Sequence, residues 1–449
     1  MARSAPSLSS FVAGEISPRL EGRTELDKYK AGLSELLNMV VHPHGGVSRR
    51  PGTEFLGEVK DSATKTRLVP FQFKTTDTYI LEFGDSVMRV YRNGGQVLDS
   101  SKAISGATKA NPVVITATGH GLSNGDEVFI SSVGGMTEIN GRNYKIANKA
   151  TNSFELQDLF GNNIDGTGFT TYTSGGTAEP IFEVATPYPA TKIFDIRFVQ
   201  SADTMYLVHP EYAPRTLTRS GHTTWTFATP TFLDGPYLDQ NTTATTLNPG
   251  ATTGTGIALV ASANLFASTD VGRLVKLHGG YGEIKTVTDA QNATFDITDD
   301  LSASTATADW SLGAGSGTTG YPSAVTFFEQ RLVFAATTNE PQTMYFSKNG
   351  DYVNMAAGTN DDDAIIYTIA SNQVNSIRYL SATRVLTIGT SGGEYVLTTT
   401  NDGPVTPTNA QIRKYSNYGT ALVEPVQVAD VTLFLQRAKR KLREFKYAG

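Results

Sequence analysis

Five stretches of this 449-residue chain repeat one plan: an extended apolar segment, a polar turn, a second extended segment, and usually a third. They are RLVPFQFKTTDTYILEFGDSVMRVYRNGG from Arg67, KIFDIRFVQSADTMYLVHPEYAPRTLTRSG from Lys192, SAVTFFEQRLVFAATTNEPQTMYFSKNGDY from Ser323, SIRYLSATRVLTIGTSGGEYVLTTT from Ser376 and VQVADVTLFLQRAKRKLREFKY from Val426. Short β-branched and aromatic runs broken by Gly, Asn and Asp are the pattern of antiparallel hairpins. The apolar residue that restarts after each first turn is Tyr79, Met205, Leu332, Val385 or Leu433. The last two spacings are 53 and 48 residues, and the first two are 126 and 127. Setting aside residues 109–180 and 238–319 brings the long spacings to 54 and 45.

A period of about 50 residues with three or four strands per unit predicts a mainly β fold with a β-propeller-like framework. The physical reason is that a small sheet with two apolar faces needs a neighbour on each side. The expected organisation is a platform and docking segment at 1–60, a first hairpin unit at 61–108 and an inserted small β-domain at 109–180. A second unit at 181–237, a second inserted β-domain at 238–319 and further units at 320–449 complete it. The chain stops just after a predicted strand, so the expectation includes a distal part beyond it.

Composition agrees with sheets and turns. Charged residues are only 18%, and Ser, Thr, Asn and Gly supply most of the polarity. Net charge is -6, of which -3 falls in 109–180 and -6 in 234–320, leaving the rest at +3. With no cysteine there is no disulfide, thiol nucleophile or thiolate metal site. The start lacks the apolar core of a signal peptide, and no uncharged apolar run approaches 18 residues. Synthesis in the cytoplasm without stable membrane insertion is expected.

One helix is predicted near the start. In TELDKYKAGLSELLNMVV, apolar Leu26, Tyr29, Leu33, Leu36, Leu37 and Val40 recur at steps of three and four. Thr24 and Asp27 resemble a capping box, and the following HPHGG would end the helix. Gly32 inside it costs roughly 1 kcal/mol relative to Ala, a hint of close packing.

No motif carries chemistry. His42 and His44 of HPHGG lack further ligand-spaced partners and read as a turn. Asp361 to Asp363 read as a solvated turn or subunit salt bridge, with a bound cation as the alternative. GAGSGTTG at 313–320 lacks the Lys–Ser/Thr of a phosphate loop and reads as a flexible joint. The TSGG turns at 173–176 and 390–393 fit hairpin geometry. No catalytic residue, metal site or cofactor is expected. Two basic groups remain. Arg437, Lys439, Arg440, Lys441, Arg443 and Lys446 would give a positive stripe on a strand hairpin, facing a neighbouring subunit's carboxylates or the phosphates of passing DNA. Arg49 and Arg50 of SRRPG are either solvated or paired at an interface.

FVAGEISPRLEGRTELDKYKAGLSELLNMVVHPHGGVSRRPGTEFL resembles the opening of tail tubular, or tail nozzle, proteins of short-tailed bacteriophages, the head-to-tail stabilization family. KIFDIRFVQSADTMYLVHPEYAPRTLTR, FFEQRLVFAATTNEPQTMYFSKNGDYVNM, ASNQVNSIRYLSATRVLTIGTSGGEYVL and LFLQRAKRKLREFKY are similar to the same family in the same order. The resemblance implies a virion protein in a homo-hexameric ring below the portal and adaptor, continuing the channel for double-stranded DNA and carrying fibres or spikes laterally. It also implies that Phe11, Glu15, Pro18, Arg23, Arg49, Arg50 and Pro51 belong to the surface that docks on the adaptor ring. A carbohydrate-binding or glycan-degrading tail component is the alternative, with Trp225, Tyr237 and Trp310 available for stacking on sugars.

Overall fold

The computed structural model describes residues 7–371, 374–400 and 403–447. The chain forms two compact units, Met1–Gly57 and Glu58–Gly449. The fold is mainly β. No α-helix occurs among the described residues, and the helical turns present are short 3-10 segments.

In the first unit the predicted helix does not form. Asp27–Ala31 makes a 3-10 turn, Gly32–Leu33 pairs in parallel with Gly14–Glu15, and Met39–Val41 forms a hairpin with Val47–Arg49. A Cβ on Gly32 would lie 2.6 Å from the Ile16 side chain, so this glycine permits the close parallel approach of two segments. The would-be apolar stripe is spent differently, since Leu37 and Val40 are exposed and Leu26, Tyr29, Leu33 and Leu36 are only half-buried. A helix gains most of its stability from packing one face, and this unit offers no face to pack against. Gly45 alone is buried among its described residues.

The second unit is built from five small antiparallel framework sheets and two large ones. The framework sheets have strand orders, by residue, of Glu183–Ala185, Val87–Arg92, Asp77–Phe83, Arg67–Lys74; Arg197–Ser201, Thr204–His209, Tyr212–Gly221, Thr224–Ala228; Ala324–Phe328, Arg331–Ala335, Thr343–Phe346, Ile365–Thr368; Ile377–Ala382, Leu386–Thr390, Gly393–Thr399, Ala410–Ser416; and Val426–Val428, Val431–Leu435, Leu442–Lys446. A shared core joins the first to the second through Leu81, Phe83, Met205 and Leu207. Tyr206, Val208, Leu332 and Phe334 join the second to the third. Val333, Phe346, Leu386 and Ile388 join the third to the fourth. Phe434 and Phe445 of the fifth pack on Tyr379, Val385 and Val396 of the fourth.

The large sheets interrupt this series. Seven strands between Lys102 and Pro180 form one, lying within the chain between two strands of the first framework sheet. Six strands between Leu247 and Leu312 form the other. Both are open and strongly curled half-barrels. In the second, a Cβ on Gly280 would meet the Asp299 carbonyl at 2.4 Å, and one on Gly282 the Asp296 carbonyl at 2.4 Å. Glycine there lets Gly280–Val287 approach Asn292–Asp299 across register shifts at Tyr281/Gly282 and Ile284/Thr286. Such irregularities bend a sheet sharply.

The expected fold class, a β-propeller-like framework behind a helix-containing platform, is therefore corrected. What forms is a mainly β fold with two open, strongly curled half-barrel sheets and no helical platform. Periodicity of three and four misled because short apolar runs satisfy helix and strand spacing alike until packing decides.

Candidate functional site

The residues expected at a docking surface spread along the first unit. Phe11 donates its amide to the Gly45 carbonyl at 2.9 Å, and Glu15 accepts the Leu36 amide at 2.9 Å. Pro18 opens a 3-10 turn, and Arg23 pairs with Glu25. Arg49 ends a strand with its side chain exposed, Arg50 donates from Nε to Asn38 Oδ1 at 3.0 Å, and Pro51 is exposed. His42 bonds Ser48 Oγ at 2.8 Å and stacks on His44, which accounts for both rings within a turn. Apolar side chains accompany these polar groups, with Phe55 75% exposed and Leu37 68%.

Only Arg443 and Lys446 of the basic row lie on a strand, Leu442–Lys446. Residues 436–441 form the turn between Val431–Leu435 and Leu442–Lys446, closed by the Gln436 amide on the Lys441 carbonyl at 2.9 Å. Lys439 has φ +56°, which turns the backbone instead of extending it. Arg437 donates to the Ser391 carbonyl at 3.2 Å. Arg443 lies 3.7 Å from the ring centre of Tyr418 and donates to Gln436 Oε1 at 3.2 Å. Lys439, Arg440 and Lys441 are exposed, and Lys446 pairs with Asp430 at 2.9 Å. The positive charge is thus concentrated on a turn. Nearby, Glu424 lies 3.9 Å from Arg67 Nη2 and 3.8 Å from Arg197 Nε, so one exposed carboxylate serves two guanidinium groups at the starts of the first and second framework sheets.

The acidic run is organised by a buried cation. Arg331 donates to the carbonyls of Ser347 at 2.9 Å, Asp361 at 2.6 Å and Asp363 at 2.6 Å. Those carbonyls are therefore committed to guanidinium. The Asp363 carboxylate pairs with Lys348 at 2.9 Å, which holds it below its usual range. No metal-like cluster occurs among the described residues. GAGSGTTG is also ordered: Ala314, Ser316 and Thr319 are buried, and Ser316 Oγ reaches Asp270.

A second buried network ties the first half-barrel to the first framework sheet. Arg89, fully buried, meets Glu127 at 2.9 Å and Glu183 at 2.8 Å, while Lys60 also pairs with Glu183. Beside it Glu82 accepts the Tyr91 hydroxyl at 2.6 Å. Burial pushes the Glu82 carboxyl upward despite that bond and the Arg89 charge. Arginine inside apolar runs, as in VMRVY and EQRLVF, was the sequence signal for Arg89 and Arg331, because such a group is buried only when paired.

Neither tryptophan forms an exposed platform. Trp225 packs edge-on against Phe71 and Tyr79, and Trp310 is buried with Nε1 donating to the Thr245 carbonyl at 2.9 Å. Tyr237 lies beneath the Lys276 ammonium, 5.4 Å from its ring centre. A cavity of about 360 Å³ is lined by none of these three residues but by Pro214, Pro230, Pro236, Phe232, Phe334 and Tyr345 among others.

Residues 110–181 match the profile of the ubiquitin-activating enzyme E1 FCCH domain. The match covers five of the seven strands of the first half-barrel and leaves the framework unassigned. No curated protein matches the chain. A solved structure titled "Crystal structure of the computationally designed Ika8 protein: crystal packing No.1 in P63" aligns over 86% of this chain and 96% of its own, at 9% identity and a TM-score of 0.20. At that score the likeness says nothing about fold or function.

Proposed function

We propose that this chain is a structural subunit of the tail nozzle of a short-tailed bacteriophage. In this reading, copies assemble as a homo-hexameric ring below the portal and adaptor, extend the DNA channel, retain packaged DNA and conduct it during ejection. Fibres or spikes attach laterally. The mechanism has no covalent step and no cofactor, and the protein resides in the virion tail. Heterologous contacts that close on themselves turn modest interfaces into a stable collar.

The observation that supports the reading is the N-terminal unit. It contains no buried apolar side chain among its described residues, yet presents several exposed ones within the segment that resembles the nozzle family's opening. A chain segment that cannot bury its own apolar groups is suited to bury them in a partner. Phe11, Glu15, Pro18, Arg23, Arg49, Arg50 and Pro51 are assigned to docking on the adaptor ring. Arg437, Lys439, Arg440, Lys441 and Arg443 are assigned to a subunit or lumen surface.

Removing residues 1–57 tests this directly. Attachment to DNA-filled heads should be lost while circular dichroism still reports the folded sheets. Normal attachment of the folded, shortened protein sinks the proposal.

A further inference from the structure

The segment 229–236 leads into the second half-barrel and the segment 313–322 leads out of it, and the Ala314 amide bonds the Pro236 carbonyl between them at 2.8 Å. Residues of both segments, of the third framework sheet and of the half-barrel line the cavity of about 360 Å³. Folded interiors hold few voids larger than one water molecule, and an apolar cavity of about 150 Å³ admits a benzene ring. This cavity has room for two or three rings.

Its walls are fixed before a ligand arrives. Asp270, 1% exposed, accepts from Arg273 Nη1 at 3.0 Å and from the Ala267 amide at 2.9 Å, and Arg273 donates from Nε to the Gly313 carbonyl at 2.8 Å. That buried pair fastens the turn carrying Val271 and Gly272 to the segment that starts at Gly313, and all three residues line the cavity. Pro214, Pro230, Pro236 and Pro322 add wall with rigid rings and no backbone N–H.

The lining also has a definite chemistry. Phe334 and Tyr345 face each other on neighbouring strands of the third sheet, and Phe232 meets Phe334 edge to face at 5.6 Å. These three rings make an aromatic wall. Glu283 is the one lining carboxylate and pairs with Lys285 at 2.8 Å, while no lysine, arginine or side-chain amide lines the cavity. Anions and sugars, which need such partners, are poorly served. One polar group is left over: Tyr345 is 2% exposed, and its hydroxyl has no hydrogen-bond partner among the described residues. Burial raises its pKa, so it stays protonated. Val271, 50% exposed, and the exposed Thr231 mark the rim.

We propose that this cavity binds a neutral, multi-ring aromatic small molecule, which packs on Phe232, Phe334 and Tyr345 and shares one hydrogen bond with the Tyr345 hydroxyl. Preformed apolar pockets with a few placed polar groups take ligands of this kind. An occupant touching both connecting segments also ties the second half-barrel to the framework. The inference goes beyond a role in a phage tail and holds without it.

The probe is N-phenylnaphthylamine, a neutral compound with one N–H whose fluorescence rises in apolar surroundings. Titration into the full chain gives its Kd. Anilinonaphthalene sulfonate, a charged relative, and N-acetyl-tryptophanamide, which stands for a partner's side chain, are titrated beside it. The neutral probe should bind about tenfold more tightly than either and slow hydrogen exchange at 229–236 and 313–322. Val271→Trp at the exposed rim should weaken it about tenfold, and Tyr345→Phe, which keeps the ring, about threefold. Unchanged affinity in either variant overturns the proposal, by placing the dye elsewhere or without the hydroxyl. Equal binding of the sulfonate overturns it as well. Tighter binding of the tryptophan amide does the same, by making a partner's indole the occupant.

Discussion

The N-terminal unit and the middle framework sheets are drawn from similar alternating sequence, yet they treat it in opposite ways. MVV at 39–41 leaves Met39 and Val40 exposed, whereas RLVFA at 331–335 is buried throughout. Local pattern does not separate them. Neighbours do: the third sheet lies between the second and fourth, while the hairpin Met39–Val41/Val47–Arg49 is a two-stranded sheet with no covered face. Two-stranded ribbons are marginal alone, and stability in this chain accordingly resides in stacked sheets.

The sharpest way to break that contrast is a pair of truncations. Phe346→Ala, at a side chain 1% exposed between the third and fourth sheets, should cost about 3–5 kcal/mol in a denaturant titration. A cost below about 1 kcal/mol would mean that the middle sheets are not the main source of stability. Arg89→Ala tests a different bond within the same unit, the charged tie between the first framework sheet and the first half-barrel. Removing the guanidinium strands Glu127, and a loss of about 3–5 kcal/mol is expected, read most clearly as exchange of half-barrel amides. Unchanged exchange would separate the half-barrel's stability from that tie.

Glu82 supplies a smaller, pH-dependent effect. Its folded carboxyl is raised above the ordinary 4.5 by burial, so the folded state holds a proton that the unfolded state has lost. Stability from this group is present below the unfolded value and is lost as pH rises from 4.5 through the raised folded value. Glu82→Gln should therefore gain stability relative to the parent as pH rises across that window, read as the difference between the two denaturant midpoints at each pH. A gain that shrinks toward neutral pH would reverse the sign and contradict the burial argument. Smallest of all, Phe55→Ala in the N-terminal unit should shift stability by no more than about 0.5 kcal/mol. A larger loss would show that this exposed ring is held after all, and would erase the contrast between the two regions.

Several features were legible in the residues themselves. Tyr79, Met205, Leu332 and Leu433 each lie in the second strand of a framework sheet, and Val385 immediately precedes one. Trp225, Tyr237 and Trp310 were legible only as aromatic residues; packing made cores of both indoles. The platform helix failed because its periodicity was local, whereas Gly32 is held by Gly14, far along the chain. The basic row failed for a related reason. A positive φ at Lys439 turned a supposed stripe into a loop tip, which alternation along a strand cannot foresee. GAGSGTTG read as a joint because glycine permits flexibility, but hydrogen bonds to Ser316 and the burial of Ala314 order it.

By itself, then, the order of residues determined that this chain makes strands: alternation places side chains on two faces, and Gly, Asn and Asp permit the reversals between them. It also determined that no thiol or disulfide chemistry is available. Tertiary structure decided which faces are covered, which arginines are buried, and where the two large sheets curl. Those outcomes depend on groups distant in sequence, such as Arg89 with Glu127, and the free energy of burial exists only once both partners have left water together.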